Sequence, residues 1–309
     1  EKNLPNSNIE RLPMTESKTR IAAVAMHSEM GDVRANLAAV SKWCHRARSE
    51  GADFALFPEE CITGSLNKSD LNIDDARNIV HAAETESLPW LESLTRELEM
   101  TVVVGTIESA GERFANNALI IGPHGHIATF TKLHLPNAVE KEWFVSGDLL
   151  PIVRSQGWTF GVGICYDLRF PELFRTAAQH GADFFLLAVG GSGGHPAPED
   201  DQRSQITMHK NLAMQLMPAR AVDNALYIFY ANQAGHSGNA YFPGFSLAVD
   251  PQGALIDEQL CGEGMTVTEI SRTILDQARC SGAFTAAETR PEIYAAAALV
   301  GEREEAQIS

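Results

Sequence analysis

The feature that most constrains the fold of this chain is a β-α-β pattern that occurs twice. Each copy has an apolar run, an amphipathic stretch and a second apolar run, at 21–28, 34–51 and 52–60 and again at 159–167, 171–181 and 182–190. In both copies the helical stretch ends at a glycine, Gly51 or Gly181, and the chain continues Ala-Asp-Phe. Glycine suits the left-handed residue that closes a helix, and the apolar run after it suits a strand buried on both faces. The pattern predicts two related α/β halves with right-handed crossovers.

The stretches between and after these two copies supply further elements. We predict a helix over 90–100, a strand over 101–109, hairpins over 116–135 and 245–258, a helix over 211–224 that Pro218 kinks, and strands over 225–235 and 264–271. The loop 190–202 is rich in Gly, Pro and Asp and is expected at the surface. With 309 residues, 44% of them apolar, the chain can bury the core of one large α/β domain with tails, or of two small domains.

Charge and composition argue against several classes of function. The net charge of −16 disfavours a nucleic-acid partner, because phosphate binding needs a concentrated basic surface. No apolar run approaches the roughly 18 residues of a membrane span, and residues 1–20 lack the apolar core of a secretory signal, so we expect a cytoplasmic protein. The five cysteines are odd in number and form no CxxC pair, which argues against a disulfide framework or a zinc site. We expect no cofactor, since 190–194 lacks the lysine and helix start of a phosphate-binding loop.

The stretch 161–175, GVGICYDLRFPELFR, has one cysteine at the end of an apolar run and directly before a helix. Pro171 suits the first turn of that helix, and Glu172 favours its positive end. Cys165 is therefore expected at the carboxyl end of a strand, the edge at which α/β sheets bind ligands. Backbone N–H groups there can stabilise a thiolate or an oxyanion. The alternative is an ordinary buried thiol that only fills space.

Two other strand ends carry groups that a cysteine nucleophile needs, a proton acceptor and a charge that stabilises the developing anion. FALFPEE has Glu59 and Glu60 directly after an apolar strand, and FTKLHL has Lys132 and His134 on one face of another. Taken singly, the acid pair could simply be solvated, and the lysine could guard an edge strand. Together, a carboxylate, a lysine and a thiol each lie at the end of a core strand, so the three weak signals coincide.

These stretches resemble the nitrilase superfamily of carbon–nitrogen hydrolases. FPEECITG, TKLHL and GVGICYDLRFPELFR look like its three signatures in its usual order, and ARAVDNALYIFYANQAG and GFSLAVDPQGALI look like later segments. The resemblance covers about 21–275 and implies an α/β fold, the four-layer α-β-β-α sandwich of the nitrilase type. Residues 1–20 would form an N-terminal extension, and 276–309 a tail that is mobile or packs at a dimer interface. It also implies a homodimer or a higher homo-oligomer that hydrolyses a small-molecule amide without a cofactor.

The resemblance assigns a role to each matched residue. Glu59 would be the general base, Lys132 the cation that stabilises the oxyanion, and Cys165 the nucleophile. Glu140 would orient the substrate or the lysine, with Glu142 as the alternative. The resulting acyl-thioester would be hydrolysed by water that the base activates.

Four further residues are implied at the pocket. The backbone N–H of Tyr166 would complete the oxyanion site, and Gly190 and Gly191 lie where the pocket of the family is lined. We expect Arg169 to pair with Asp167 and stiffen the turn after the cysteine. Direct contact between Arg169 and a substrate carboxylate is the alternative.

The residues after the cysteine favour one branch of the superfamily. Nitrilases tend to have Trp-Glu there, whereas this chain has Tyr166 and Asp167, as amidase-like branches do. We therefore expect an amidase, with a nitrilase or an N-carbamoyl amidohydrolase as the alternative. At 212–213 the chain has Leu-Ala where omega-amidase-like relatives have His-Trp, so its substrate is expected to be larger or differently shaped.

Three alternatives come from other classes. A cysteine hydrolase could use His134 as its base, with Lys132 merely structural. A member of the superfamily could have lost catalysis and act as a binding or scaffold protein. A metal hydrolase could use HPAPEDD at 195–201, although this segment lacks a second histidine at helical spacing.

Overall fold

Two β-sheets packed face to face form the centre of the protein, which is described here by a computed structural model covering residues 17–192, 202–281, 288–290 and 293. In chain order the strands are β1 (Lys18–His27), β2 (Phe54–Leu56), β3 (Thr101–Ala110), β4 (Arg113–Gly122), β5 (Gly125–Thr131), β6 (Phe144–Val145), β7 (Ile152–Ser155), β8 (Trp158–Ile164), β9 (Phe184–Val189), β10 (Tyr227–Ser237), β11 (Ala240–Pro243), β12 (Phe245–Val249), β13 (Leu255–Leu260) and β14 (Gly264–Ser271). The α-helices are α1 (Val33–Ser49), α2 (Ile73–Leu98), α3 (Ala138–Trp143), α4 (Pro171–Gln179), α5 (Gln202–Asn224) and α6 (Arg272–Cys280). Short 3-10 helices span Leu66–Lys68 and Cys165–Arg169.

The order of the strands brings several carboxyl ends to one end of the sandwich. The first sheet has the order β5-β4-β3-β2-β1-β14, and the second has the order β7-β8-β9-β10-β12-β13. β1, β2 and β3 are parallel, as are β8, β9 and β10. β5 runs in the same direction as β3, because each is antiparallel to β4. The tips of β1 and β10 also pair in parallel, with Met26 opposite Gln233, and this joins the two sheets.

Aromatic side chains fill the space between the sheets. The ring of Phe54 on β2 meets Phe160 and Phe184 of the second sheet edge-on, with centroids 5.9 and 5.3 Å apart. The opposite face of the first sheet packs against α1 and α2 through a second apolar cluster. On the outer face of the second sheet, Phe185 packs against Phe174 of α4 with centroids 4.3 Å apart. These layers confirm the predicted four-layer α-β-β-α sandwich.

The two predicted β-α-β units are present, and their helices end as expected. Gly51 and Gly181 have φ of +82° and +81°, in the left-handed region that favours glycine. The strands are shorter than the apolar runs, since β2 ends at Leu56 and β8 ends at Ile164. The chain turns at these points, and the residues beyond them form the candidate site.

The largest difference from the sequence prediction is α2, which begins at Ile73 rather than at residue 90. The side chain of Asn72 accepts hydrogen bonds from the backbone N–H groups of Asp74 and Asp75, and these two acids favour the positive end of the helix. The start of this helix is therefore set by the cap at Asn72, which cannot be predicted from the spacing of apolar residues.

Two predicted segment boundaries fall at the edges of the described region. β1 starts at Lys18, inside the predicted extension 1–20, whereas most of the predicted tail 276–309 lies outside the described residues. Within the described ranges, no helix is both long enough and apolar enough to cross a membrane.

Candidate active site

Acidic, basic and thiol side chains meet at the shared end of the strands. Glu59 follows β2, Lys132 is the residue directly after β5, and Cys165 is the residue directly after β8. Glu140 joins them from α3. Glu59 is 3% exposed and Lys132 is fully buried. The protein thus encloses a charged cluster where strand geometry alone predicts a ligand site.

Lys132 lies at the centre of this cluster. Its Nζ donates hydrogen bonds to Oε1 of Glu59 at 2.8 Å and to Oε2 of Glu140 at 2.6 Å. Burying one ammonium between two carboxyl groups is costly unless each charge has a partner. The paired geometry fixes the head of Lys132 in place and makes it unable to move away without leaving both acids unpaired.

The carboxylate of Glu59 is held on both oxygens. Asn116 Nδ2 donates to Oε1 at 2.9 Å, and the backbone N–H of Gly190 donates to Oε2 at 2.7 Å. The amide of Gln233 donates to the backbone oxygen of Glu59 at 2.6 Å. A Cβ at position 190 would lie only 2.9 Å from Glu59 Oε2, so the close approach of this loop requires glycine.

Glu140 is positioned by the start of its own helix. Asn137 caps α3, since its side-chain oxygen accepts a hydrogen bond from the backbone N–H of Glu140 at 2.9 Å. Glu140 is buried, whereas Glu142, the other acid considered from the sequence, is exposed. The structure therefore brings Glu140 and not Glu142 into contact with Lys132.

Cys165 begins a 3-10 helix in a conformation that is rare for residues other than glycine. Its φ is +46°, and its side chain is half-buried at the wall of a cavity of 320 Å³. Asp167, two residues on, stabilises this sharp turn, because its carboxylate accepts the backbone N–H of Ile164 at 3.0 Å. The turn places the Cys165 side chain at the cavity at the cost of local backbone strain.

Asp167 also binds a residue that the sequence analysis treated as a rival base. His134 donates to its carboxylate through the backbone N–H at 3.1 Å and through Nδ1 at 2.7 Å, and its ring stacks on Phe170. In the described part of the chain His134 makes no hydrogen bond to the sulfur of Cys165. The expected pairing of Asp167 with Arg169 is wrong.

Arg169 is exposed and lies over the ring of Tyr166, with its guanidinium carbon 5.6 Å from the ring centroid. It was expected to pair with its neighbour Asp167 because the two are close in sequence, but the 3-10 helix turns them apart. Tyr166 and Arg169 both line the cavity beside Cys165. Gly190 and Gly191 line it as well, and the N–H of Gly191 is held by Asn232 at 2.9 Å.

Burial and neighbouring charges shift the pKa of each group in the cluster. Burial and the charge of Glu59 raise the pKa of the Cys165 thiol, and Lys132 only partly offsets them. Burial would also raise the pKa of Glu59, but Lys132 and Lys68 hold it below its ordinary value. Although burial disfavours its ammonium, the acids around Lys132 hold its pKa well above the ordinary value. The cluster thus holds a neutral thiol beside an ionised carboxylate and an ammonium.

Three polar residues at the site were missed by the sequence analysis. Asn116 and Gln233 hold Glu59, and Lys68 donates from Nζ to the backbone oxygen of Gly190 at 2.8 Å. Lys68 ends a short 3-10 helix, where a polar residue is unremarkable. The available signal for the other two was a pair of neighbouring amides within a largely apolar strand, at 116–117 in β4 and at 232–233 in β10.

A metal centre finds no support in the described ranges, where no three His, Cys, Asp or Glu side chains are grouped to hold an ion. The segment 195–201, considered above as a metal-binding loop, lies outside the described residues.

Comparison with known proteins agrees with this arrangement. Residues 20–279 match the family model of the carbon-nitrogen hydrolases. A nitrilase from Pyrococcus abyssi is 29% identical over 77% of this chain and 83% of its own length. A chloroplastic omega-amidase from Arabidopsis thaliana is 29% identical over 87% of this chain and 71% of its own length.

A solved structure has the same fold. It is an amidase from Nesterenkonia sp. AN1, in a form that shows Michael addition of acrylamide at the active site cysteine. It superposes with a TM-score of 0.67 and 26% identity, over 85% of this chain and 97% of that one. The chain therefore belongs to the carbon-nitrogen hydrolase family, in the amidase-like branch of the nitrilase superfamily.

Proposed function

We propose that this protein is an amidase that cleaves a small-molecule amide through a thioester on Cys165. The observation that carries the proposal is the position of the Lys132 ammonium, bonded to Glu59 and Glu140 beside the cavity that Cys165 borders. Amidases among the relatives support the substrate class. Tyr166 and Asp167 after the cysteine, in place of Trp-Glu, favour an amide over a nitrile.

The first step is attack by the sulfur. Glu59 accepts the proton of the thiol while the Cys165 sulfur forms a bond to the amide carbon, and the carbonyl electron pair moves to the oxygen. A neutral thiol needs this base, because burial disfavours a free thiolate. Lys132 and the backbone N–H of Tyr166 stabilise the oxyanion.

The second step expels the amine and the third releases the acid. Glu59 gives its proton to the nitrogen, the carbon–nitrogen bond breaks, and ammonia or an amine leaves a thioester on Cys165. Glu59 then takes a proton from water, whose oxygen attacks the thioester carbon. The carbon–sulfur bond breaks, the sulfur regains a proton, and a carboxylic acid leaves.

Glu140 serves this sequence as a positioning residue. Its carboxyl accepts the second hydrogen bond of Lys132. Because two of the three N–H groups of the ammonium are then held, the direction of the third is fixed. Burial and the nearby charge of Glu59 raise the pKa of Glu140, and Lys132 acts in the opposite direction.

The cavities fit a compact substrate and leave room for a polar group attached to it. The cavity of 320 Å³ beside Cys165 shares Lys68, Asn137, Glu140 and Ser192 with a neighbouring cavity of 420 Å³. Leu212 and Ala213 line the cavity at the place where omega-amidase-like relatives have His-Trp, which supports an acyl group wider than that of those relatives.

Two further parts of the proposal concern assembly and location. The resemblance to the superfamily supports a homodimer, which light scattering after gel filtration tests. The cytoplasmic location expected from the sequence stays a proposal, which fractionation of cells that make the protein tests.

The experiment is a screen for ammonia release over amides, N-carbamoyl amines and nitriles, with Cys165→Ala as the control. We expect turnover of amides that is lost in the variant. Faster release from nitriles or carbamoyl compounds would replace the amide assignment. Binding of one of these compounds with neither turnover nor an acyl adduct on Cys165 would favour a binding protein.

A further inference from the structure

The active-site cluster contains a third carboxyl group, Glu60, which has no role in the proposed reaction steps. Its side chain is 2% exposed. Asn116 Nδ2 donates to Oε1 of Glu60 at 3.1 Å and to Oε1 of Glu59 at 2.9 Å, so one amide bridges the two acids. Glu60 therefore shares a binding partner with the proposed general base.

Glu60 has no cation of its own. Lys132 contacts the other two acids, and within the described residues no ammonium, guanidinium or imidazole forms an ion pair with Glu60. An ionised carboxylate that is buried without a partner is strongly disfavoured, and a neighbouring carboxylate disfavours it further. Geometry alone thus favours a protonated Glu60.

Two buried amide oxygens near Glu60 lack a donor. They are Oδ1 of Asn116 and Oε1 of Gln233, which have no hydrogen-bond partner within the described part of the chain. The Gln233 amide is held beside Glu59 and Glu60 because its Nε2 donates to Ser65 Oγ at 3.1 Å and to the backbone oxygen of Glu59. A carboxylic acid has a donor to offer such an oxygen, and a carboxylate has none.

We propose that Glu60 is a neutral carboxylic acid in the active enzyme and a positioning residue that, through Asn116, keeps Glu59 as the one ionised member of the pair. This inference rests on the proposed function. Loss of the Glu60 proton adds a negative charge beside the oxyanion that Lys132 must stabilise, so the ionised form is the slow form.

The charges around Glu60 set the pH at which this happens. Burial and the charge of Glu59 raise the pKa of Glu60 to about 7, and Glu140 acts in the same direction. Lys68 and the hydroxyl of Ser65 act in the opposite direction. Activity should fall about tenfold for each pH unit above the pKa of this group, as for any single inactivating ionisation.

The test compares Glu60→Gln with wild type in a profile of kcat/KM from pH 5.5 to about 9. Glutamine has the shape of the protonated acid and cannot ionise, so we expect the alkaline decline to disappear while kcat/KM at pH 6 stays within about threefold of wild type. Glu142→Gln, on the exposed face of α3, is the matched control and should keep the decline. Loss of activity at pH 6 in Glu60→Gln, or an unchanged decline, would overturn the proposal.

An infrared titration keeps the proposal testable whether or not the substrate is known. The wild-type protein should have a protonated carboxyl band at pH 6 that is lost near pH 8.5 and is absent in Glu60→Gln. If this band is the same in both proteins, Glu60 carries no proton and the inference fails. If wild type cleaves no amide, the proposed function fails instead, and the infrared result still decides the state of Glu60.

Discussion

Replacing Lys132 with methionine removes the ammonium and keeps most of the alkyl stem. Glu59 and Glu140 would then lose the hydrogen bonds of 2.8 and 2.6 Å that they accept from the ammonium between them. Breaking a fully buried ion pair from one side costs about 3–5 kcal/mol. For a domain of this size that corresponds to a melting temperature lower by about 5–9 °C.

The size of this loss should depend on pH. Lys132 lowers the pKa of Glu59 in the folded state, so the stability that Glu59 contributes is present at neutral pH and is lost as the pH falls through its folded-state value. Without Lys132 that carboxyl can fold in its protonated form. The difference between wild type and Lys132→Met should therefore be largest near pH 7 and shrink toward pH 4–5, close to the ordinary glutamate value of about 4.3.

The assay pairs thermal unfolding at pH 5 and pH 7 with amide hydrolysis. Lys132→Met should lower kcat/KM by about 10³-fold or more, since it removes the cation that faces the oxyanion. Lys141→Met, on the exposed side of α3, is the matched control and should stay within about 0.5 kcal/mol of wild type. An unchanged melting temperature at pH 7 would refute the reasoning. So would full activity in Lys132→Met combined with an inactive His134→Ala, which would favour a cysteine–histidine pair.

Three shorter predictions test the groups around this cluster. Gly190→Ala would put a Cβ 2.9 Å from Glu59 Oε2, and the displaced carboxylate should cost about 10²-fold in kcat/KM, as steady-state kinetics can measure. Asp167→Ala leaves the buried N–H of Ile164 without its acceptor, and chemical unfolding should register a loss of about 1–3 kcal/mol. Iodoacetamide should modify Cys165 ahead of the two fully buried cysteines, and Glu59→Gln should slow this reaction about 10²-fold in peptide mapping.

The carboxyl ends of the strands could be predicted because the apolar runs mark them. Glu59, Lys132 and Cys165 each follow such a run, and parallel strands of one sandwich end on the same side. Gly51 and Gly181, which follow α1 and α4, could also be predicted, because glycine is the usual left-handed residue after the end of a helix. These local signals indicated the β-α-β units, whereas the four layers were implied by the resemblance to the superfamily.

The partners of the charged groups could not be predicted, because they come from distant parts of the chain. Asn116 in β4 meets Glu59 once the first sheet is formed, and Gln233 in β10 meets it once the second sheet packs on the first. Asp167 looked like a partner of its neighbour Arg169, whereas the turn at residue 165 directs it to His134 instead. Side-chain pairing inside a buried cluster is decided by tertiary packing, and neighbourhood in sequence is a poor guide to it.

The central claim is that the sulfur of Cys165 becomes acylated during turnover. Acid-quenching the protein a few milliseconds after mixing with an amide substrate, followed by peptide mapping on a mass spectrometer, tests it directly. The account predicts the mass of the acyl group on the peptide that contains residue 165, and no adduct in Cys165→Ala. Steady release of ammonia by Cys165→Ala, or an acyl group found on another side chain, would contradict it.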